Sequence, residues 1–195
     1  MSDLSGNTVM TSDELYTKTM ELDQKKITFG NYHGKPLEWK VILTHGNRCL
    51  ILAEKPVDYM YFHPEREEIA WNNCSLRKWL NRQFLEEAFT LQERMMILIS
   101  KHACNTDPRW DHENGPDTKD KAFVFSLKEL EEYLPKKEDR AIGEWWWLRG
   151  HGCSNLNQQA VYEDGTVYVN GVSSNSAEVG VRPAMWIRLN KQVKL

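Results

Sequence analysis

Apolar positions change their spacing along this chain, and each change marks a different kind of element. After Ile27-Thr28-Phe29-Gly30, which suggests a short strand, Leu37, Trp39, Val41 and Leu43 alternate with Glu38, Lys40 and the irregular Ile42. Period-two spacing predicts a strand. His45-Gly46-Asn47 supplies a turn, and the apolar run Cys49–Ala53 returns as a more buried strand, so a β-hairpin is predicted over residues 37–53. Over residues 75–99 the spacing becomes helical. Ser75 is placed to cap a helix whose Leu76, Trp79, Leu80 and Phe84 lie near one face. Thr90 and Glu93 have capping-box spacing ahead of Met95, Met96 and Leu98, and Ser126 and Glu129 repeat it ahead of Leu127, Leu130, Tyr133 and Leu134. Pro135 should stop that last helix. Residues 101–121 are polar and rich in turn formers, which predicts a long surface loop.

The last third reads as β. Ala160–Glu163 and Thr166–Val169 flank Asp164-Gly165, the signature of a two-residue hairpin turn. Asn170-Gly171 marks another turn, and Ser173–Ser176 an exposed stretch. Arg182–Leu189 can form a terminal strand if Pro183 sits at an edge, a strand start or a bulge. Ahead of these lies Trp145-Trp146-Trp147. On a strand, successive side chains point to opposite faces, so at least one tryptophan must leave the core or meet a second layer. Trp145 is expected to leave, and Trp39, Trp79, Trp147 and Trp186 to lie in the core. Strands before and after a helical middle predict an α+β domain with antiparallel sheets and a few packed helices. Residues 1–25 are polar, with Thr11 and Glu14 at capping spacing, and read as an N-terminal arm before a single domain over 26–195.

Composition narrows the function classes. The chain of 195 residues is 41% hydrophobic and 27% charged, and 25 basic against 28 acidic residues give a net charge of -3. That balance lacks the basic footprint of a nucleic-acid binder. The apolar run Met95–Ile99 is far too short for a membrane span. The N-terminus lacks the basic start and apolar core of an export signal. The four cysteines, at 49, 74, 104 and 153, include no CxxC pair. Reduced thiols in a cytoplasmic protein are therefore expected, with no membrane association.

Several motifs together resemble an uncharacterised bacterial domain family with a C-type-lectin-like or sulfatase-modifying-factor-like fold. They are Phe29-Gly30, Leu37-Glu38-Trp39, the segment Trp71–Asn81, Phe84, Ala88-Phe89, Trp146-Trp147-Leu148-Arg149, Asp164-Gly165 and Gly180–Ala184. The resemblance covers about residues 26–189 and implies a C-type-lectin-like fold. It transfers no catalytic residue, and fold alone does not choose between ligand-binding and enzymatic relatives. The chain departs from the family's serine-rich turn after the tryptophan-arginine element, carrying Gly150-His151-Gly152-Cys153 there.

The reading favoured by the residues is noncatalytic recognition of a protein or small polar ligand, through loops around 105–117 and 150–178. Trp110, Asp111 and His112 combine an aromatic face with polar groups; Trp145 adds a second aromatic, and Asn155, Asn157, Asn175 and Glu178 a second polar patch. No cofactor is implied, and homo-oligomerisation is left open. The alternative is a metal- or thiol-dependent enzyme built on His102, Cys104, His151 and Cys153, whose two HxC pairs lack the usual knuckle spacing. A third reading is a structural or oligomerisation module. Arg149 and Arg182, beside aromatic strands, are expected to form cation–π contacts and ion pairs that tie the C-terminal strands together.

Overall fold

Alternation between Leu37 and Leu43 produces a strand because alternate positions have a core to enter. Trp39 and Val41 are buried, whereas Glu38 stays at the surface. In the computed structural model, which describes residues 26–103, 109–110 and 114–189, this is β2 (Lys35–His45). It turns at Gly46-Asn47 and pairs antiparallel with β3 (Arg48–Ala53), while β1 (Lys26–Tyr32) lies along its other side. The register shifts between Val41 and Leu43, so Ile42 is the extra residue of a bulge. That is why it interrupts the alternation. The expected arm over 1–25, with its Thr11–Glu14 signal, lies outside the described residues.

The C-terminal strand, β13 (Ala184–Arg188), pairs with β3, and its other side pairs with β5 (Ile97–Leu98) and β8 (Ala122–Phe123). Pro183 stands just before it, where the missing N–H removes no ladder bond, and its carbonyl accepts from the Ala53 N–H at 2.9 Å. Chain ends distant in sequence thus share one antiparallel sheet. The second sheet runs β11 (Val167–Ser173), β10 (Asn157–Val161), β9 (Trp146–His151), β12 (Gly180–Val181), β4 (Asp58–Tyr59). Its pairings are antiparallel except β12 with β9. A small sheet joins β6 (Ser100–His102) to β7 (Thr118–Asp120).

Helical spacing yields α1 (Ser75–Trp79), which continues through a π turn (Leu80–Phe84) into α2 (Leu85–Ala88). The cap is Cys74 rather than Ser75: its Sγ accepts from the Arg77 N–H at 3.3 Å. Leu76, Leu80, Phe84, Leu85 and Ala88 are buried, while Trp79 is only half-buried, against the rings of Tyr32 and Phe84. Both capping boxes form. Thr90 and Glu93 start α3 (Leu91–Met96), and the other Glu93 oxygen accepts from the Gly30 N–H at 3.1 Å, so the cap also fastens α3 to β1. This helix ends at Met96 because Ile97 and Leu98 pair with β13 instead. Ser126 and Glu129 start α4 (Leu127–Tyr133), which stops before Pro135 and is followed by α5 (Lys137–Arg140). An α+β domain of antiparallel sheets with packed helices results.

The three tryptophans meet a second layer. Every residue of β9 is buried, and Trp146 and Trp147, on opposite faces, are both 0% exposed. Arg182 stacks on Trp146 with its guanidinium 4.8 Å from the ring centre, and Phe62 packs edge-on against Trp147. Trp145 is the half-buried one, packed on Tyr162 and Tyr168. Trp186, expected in the core, is also half-buried, because its position in β13 faces away from the side that holds Met185 and Ile187. Asp164-Gly165 does lie in a hairpin, but not as its two central residues. The Gly165 N–H donates to the Tyr162 carbonyl and the Tyr162 N–H to the Thr166 carbonyl, making Glu163-Asp164 the turn centre and Gly165 (φ 84°) the left-handed bulge position. A side chain at Gly165 would also run into the Lys137 carbonyl.

Candidate functional site

Where α4 begins, local and tertiary demands fall on one carboxylate. As the third residue of the helix, Glu129 accepts from the Ser126 N–H at 2.8 Å. The same carboxylate receives both terminal nitrogens of Arg149 from β9, with Nη2 to Oε1 at 2.8 Å. Arg149 Nη1 also donates to the Val124 carbonyl, and the guanidinium faces the Phe123 ring. His102, from β6, stacks on Phe123 with ring centres 3.7 Å apart. Its Nε2 lies 2.8 Å from Ser100 Oγ, and its Nδ1 3.5 Å from Glu129 Oε1. Burial pushes the Glu129 carboxyl up, but the hydrogen bonds from His102 and Arg149 and the Arg149 charge outweigh it and hold the group at about 2. Arg149 therefore forms an ion pair, yet with a helix rather than among the C-terminal strands. Arg182 forms none within salt-bridge distance among the described residues: its Nε donates to the Ala53 carbonyl at 2.7 Å, and burial pulls its pKa down to about 10.

A second buried acid stands one strand away. Asp120 accepts from Trp71 Nε1 at 3.0 Å, Arg77 Nε at 2.7 Å and Thr118 Oγ1 at 2.7 Å. Between the two acids lies a polar crevice lined by Trp71, His102, Asn114, Thr118, Arg149 and Gly150. It has room for about one water-sized group. The segment expected as a surface loop over 101–121 thus contributes strands at both ends, and His102, Asn114, Thr118 and Asp120 are buried.

The two predicted loops meet here. Asn114 Oδ1 accepts from the His151 N–H at 2.9 Å; His151 Nδ1 lies 3.1 Å from Gln158 Nε2, which also donates to the Ile69 carbonyl. The Ile69 N–H in turn donates to the Asn155 carbonyl. A continuous path of hydrogen bonds therefore runs from the 103–117 segment to the start of β10. Gly152 makes close approach possible at that end, since a side chain there would strike the Asn170 carbonyl.

Of the residues expected to contact a ligand, Trp110 is half-buried and its Nε1 is enclosed without a hydrogen-bond partner among the described residues. Asp111 and His112 lie outside the described residues, as does Cys104. Asn155 is half-buried with Oδ1 similarly unpartnered. Asn157 stands opposite Ser173 and donates to Cys153 Sγ at 3.7 Å, and Ser173 Oγ donates to Asn175 Oδ1 at 2.7 Å. The polar patch at this end of the sheet is therefore assembled from Asn157, Asn175, Cys153 and Ser173. Trp145 sits with its tyrosines instead, and Glu178 is exposed with no hydrogen bond or ion pair among the described residues.

Neither HxC pair forms a recognisable metal cradle in the described part. His102 faces Ser100 and Glu129, His151 faces Gln158, and Cys153 is exposed. Among the described residues no three His, Cys, Asp or Glu side chains are grouped to hold a metal. Burial raises the Cys49 and Cys74 thiols to about 12, which suits packing rather than nucleophilic attack.

Some participants carried no sequence signal beyond their local role. Glu129 reads as a cap alone, and Asp120 as a loop residue. His63 was missed altogether. Its Nδ1 accepts from the Ser75 N–H at 3.3 Å and lies 3.0 Å from Ser75 Oγ, while Nε2 meets Glu67 at 3.0 Å and Glu65 at 3.1 Å. Accepting the backbone N–H makes this imidazole a closing group for the helix start, with its Nε2–H aimed at the two carboxylates.

No curated protein and no solved structure matches the chain. A family described as a domain of unknown function matches over residues 46–189, from the turn before β3 to the end of β13. That span holds the Glu129–Arg149 pair, the Asp120 cluster and both loops, whereas β1 and β2 precede it. With most of its length inside the match, the chain belongs to the DUF6273 family.

Proposed function

We propose that this domain is a noncatalytic recognition module with a C-type-lectin-like fold, binding a protein or small polar ligand through the loops around 105–117 and 150–178. The observation that carries the reading is unspent hydrogen-bonding capacity. Among the described residues, Trp110 Nε1, Asn155 Oδ1, Gln158 Oε1 and Ser174 Oγ are buried without hydrogen-bond partners, and all four belong to these two segments. Buried polar atoms are nearly always satisfied, so such a concentration suits groups that meet water or a ligand's donors and acceptors. The rigid backing of Glu129, Arg149 and Asp120 would hold the loops in a preformed shape, which lowers the ordering cost of binding. The C-type-lectin-like assignment is supported by the terminal strand returning beside the first hairpin and by long loops set between helices and the last sheet.

The test is a set of amide and indole proton–nitrogen spectra of the full chain with a panel of neutral sugars, amino acids and dipeptides. A binder is expected to move the Trp110 indole and His151 amide signals, and Trp110→Ala to weaken it on the order of tenfold. Shifts that bypass both segments, or binding unchanged in the variant, would sink this reading.

A second reading is favoured by Leu91, Met95 and Ile99, three large apolar side chains spaced four apart and 68%, 74% and 66% exposed. A copy of the chain covering them would make the domain self-associate. Light scattering across a dilution series should then show a mass that rises with concentration and reverts to monomer in Met95→Glu. A constant monomeric mass would remove this reading.

A further inference from the structure

The outer end of the first sheet carries a row of basic residue types. Register places His45 opposite Arg48 and Arg48 opposite Arg188, and directly paired residues project to one face. Arg48 Nη2 lies 3.5 Å from His45 Nδ1, and among the described residues no carboxylate pairs with Arg48 or Arg188. Like charges set directly across a ladder are destabilising. The next row on the same face is apolar: Leu43, Leu50, Trp186 and Leu98 stand side by side. Trp186 is half-buried, and its indole N–H makes no hydrogen bond among the described residues.

These two rows border a groove of about 310 Å³. Its lining combines His45, Arg48 and Lys101 with Leu98, Ile99 and Trp186. Lys101 is already paired with Asp117 at 2.7 Å, so Arg48 is the lining cation with no carboxylate partner among the described residues. The volume falls within the range of small-molecule sites, well below what an extended polymer needs.

We infer that this groove binds a small organic anion, its carboxylate or phosphate taken by Arg48 and its flat apolar body laid on Trp186 between Leu98 and Ile99. An oxyanion would give the exposed Arg48 guanidinium the acidic partner it lacks among the described residues, with Arg48 presenting the planar fork suited to such groups. The indole supplies both a face and an unused donor. The site is separate from the loop crevice, being formed by β2, β3, β13 and the β5–β6 connection, so either can fail alone.

Calorimetric titration of the full chain with 1-naphthyl phosphate, 1-naphthoate, 1-naphthol and inorganic phosphate tests it. The two naphthyl anions should saturate a single site with Kd below about 1 mM, with naphthol and inorganic phosphate each on the order of tenfold weaker. The comparison of phosphate with carboxylate tells which acid the site prefers. Arg48→Gln should weaken the anions on the order of tenfold and leave naphthol unchanged. Because Arg48 is exposed and pairs with no carboxylate among the described residues, this variant should unfold at about the same temperature as the parent chain. Equal affinity for naphthol and the anions, equal affinity in Arg48→Gln, or absence of saturable binding would each overturn the inference.

Discussion

Glu129→Ala is expected to destabilise the fold by about 3–5 kcal/mol, because it removes one partner of a buried ion pair and leaves the other in place. Arg149 is 5% exposed on its side chain and has no other carboxylate partner among the described residues, so its charge would be left against Phe123 and the Val124 carbonyl. The Ser126 N–H loses its acceptor as well, adding about 1 kcal/mol from the broken cap. Urea unfolding reads the loss directly. Glu129→Gln keeps a side-chain acceptor at the helix start and removes only the charge, so it should fall between the parent and the alanine variant. Replacing both partners, Glu129→Leu with Arg149→Met, should recover much of the difference, since an apolar pair avoids the desolvation that the charges must overcome. If the double variant were as unstable as the alanine variant, the charge pairing would not be the source of the effect.

The same carboxylate gives a pH dependence of definite sign. Its folded pKa is lowered from 4.5 to about 2, so its contribution is complete above the unfolded value and is lost as pH falls from about 4.5 through 2. Stability of the parent chain should therefore decline across that window more steeply than that of Glu129→Gln. Parallel acid limbs would contradict this assignment.

Trp146→Ala should also cost about 3–5 kcal/mol, the range for emptying a fully enclosed aromatic site. The consequence reaches further than a cavity. Arg182 rests on this ring, and its Nη1 has no hydrogen-bond partner among the described residues, so losing the aromatic face removes one of the few favourable contacts of a buried cation. Trp145→Ala, one residue away, should cost only about 1–2 kcal/mol because that ring is half-buried against Tyr162 and Tyr168. Thermal or urea unfolding of the two variants side by side checks the contrast. Equal losses would mean that the two faces of β9 are not covered as described.

Local chemistry made much of the fold readable. Capping boxes at Thr90–Glu93 and Ser126–Glu129 form because their partners are three residues apart and need no help from the rest of the chain. Pro135 ends a helix and Gly46-Asn47 closes a hairpin for equally local reasons. Where a neighbour distant in sequence competes, local reading fails by a residue or two. Ile97 and Leu98 leave their helix for β13, Cys74 takes the cap from Ser75, and the Asp164-Gly165 turn shifts to suit a bulge beside the Lys137 carbonyl.

The candidate site shows the same division more sharply. Trp110, Asn155, Asn157 and Asn175 stood out as polar and aromatic loop residues, and loop composition is visible in sequence. That Asn114 would hold the His151 N–H, that Asp120 would gather Trp71, Arg77 and Thr118, and that a capping glutamate would meet Arg149 were not visible. By itself, the amino-acid order determined the α+β class, the caps, the turns and the positions of the buried apolar rows, because periodicity and short-range hydrogen bonds act over a few residues. Only tertiary structure decided which charges meet and which are left facing each other, as Arg48 and Arg188 are. Charge pairing depends on distances between strands and helices far apart in the chain, and a single sequence carries no record of those distances.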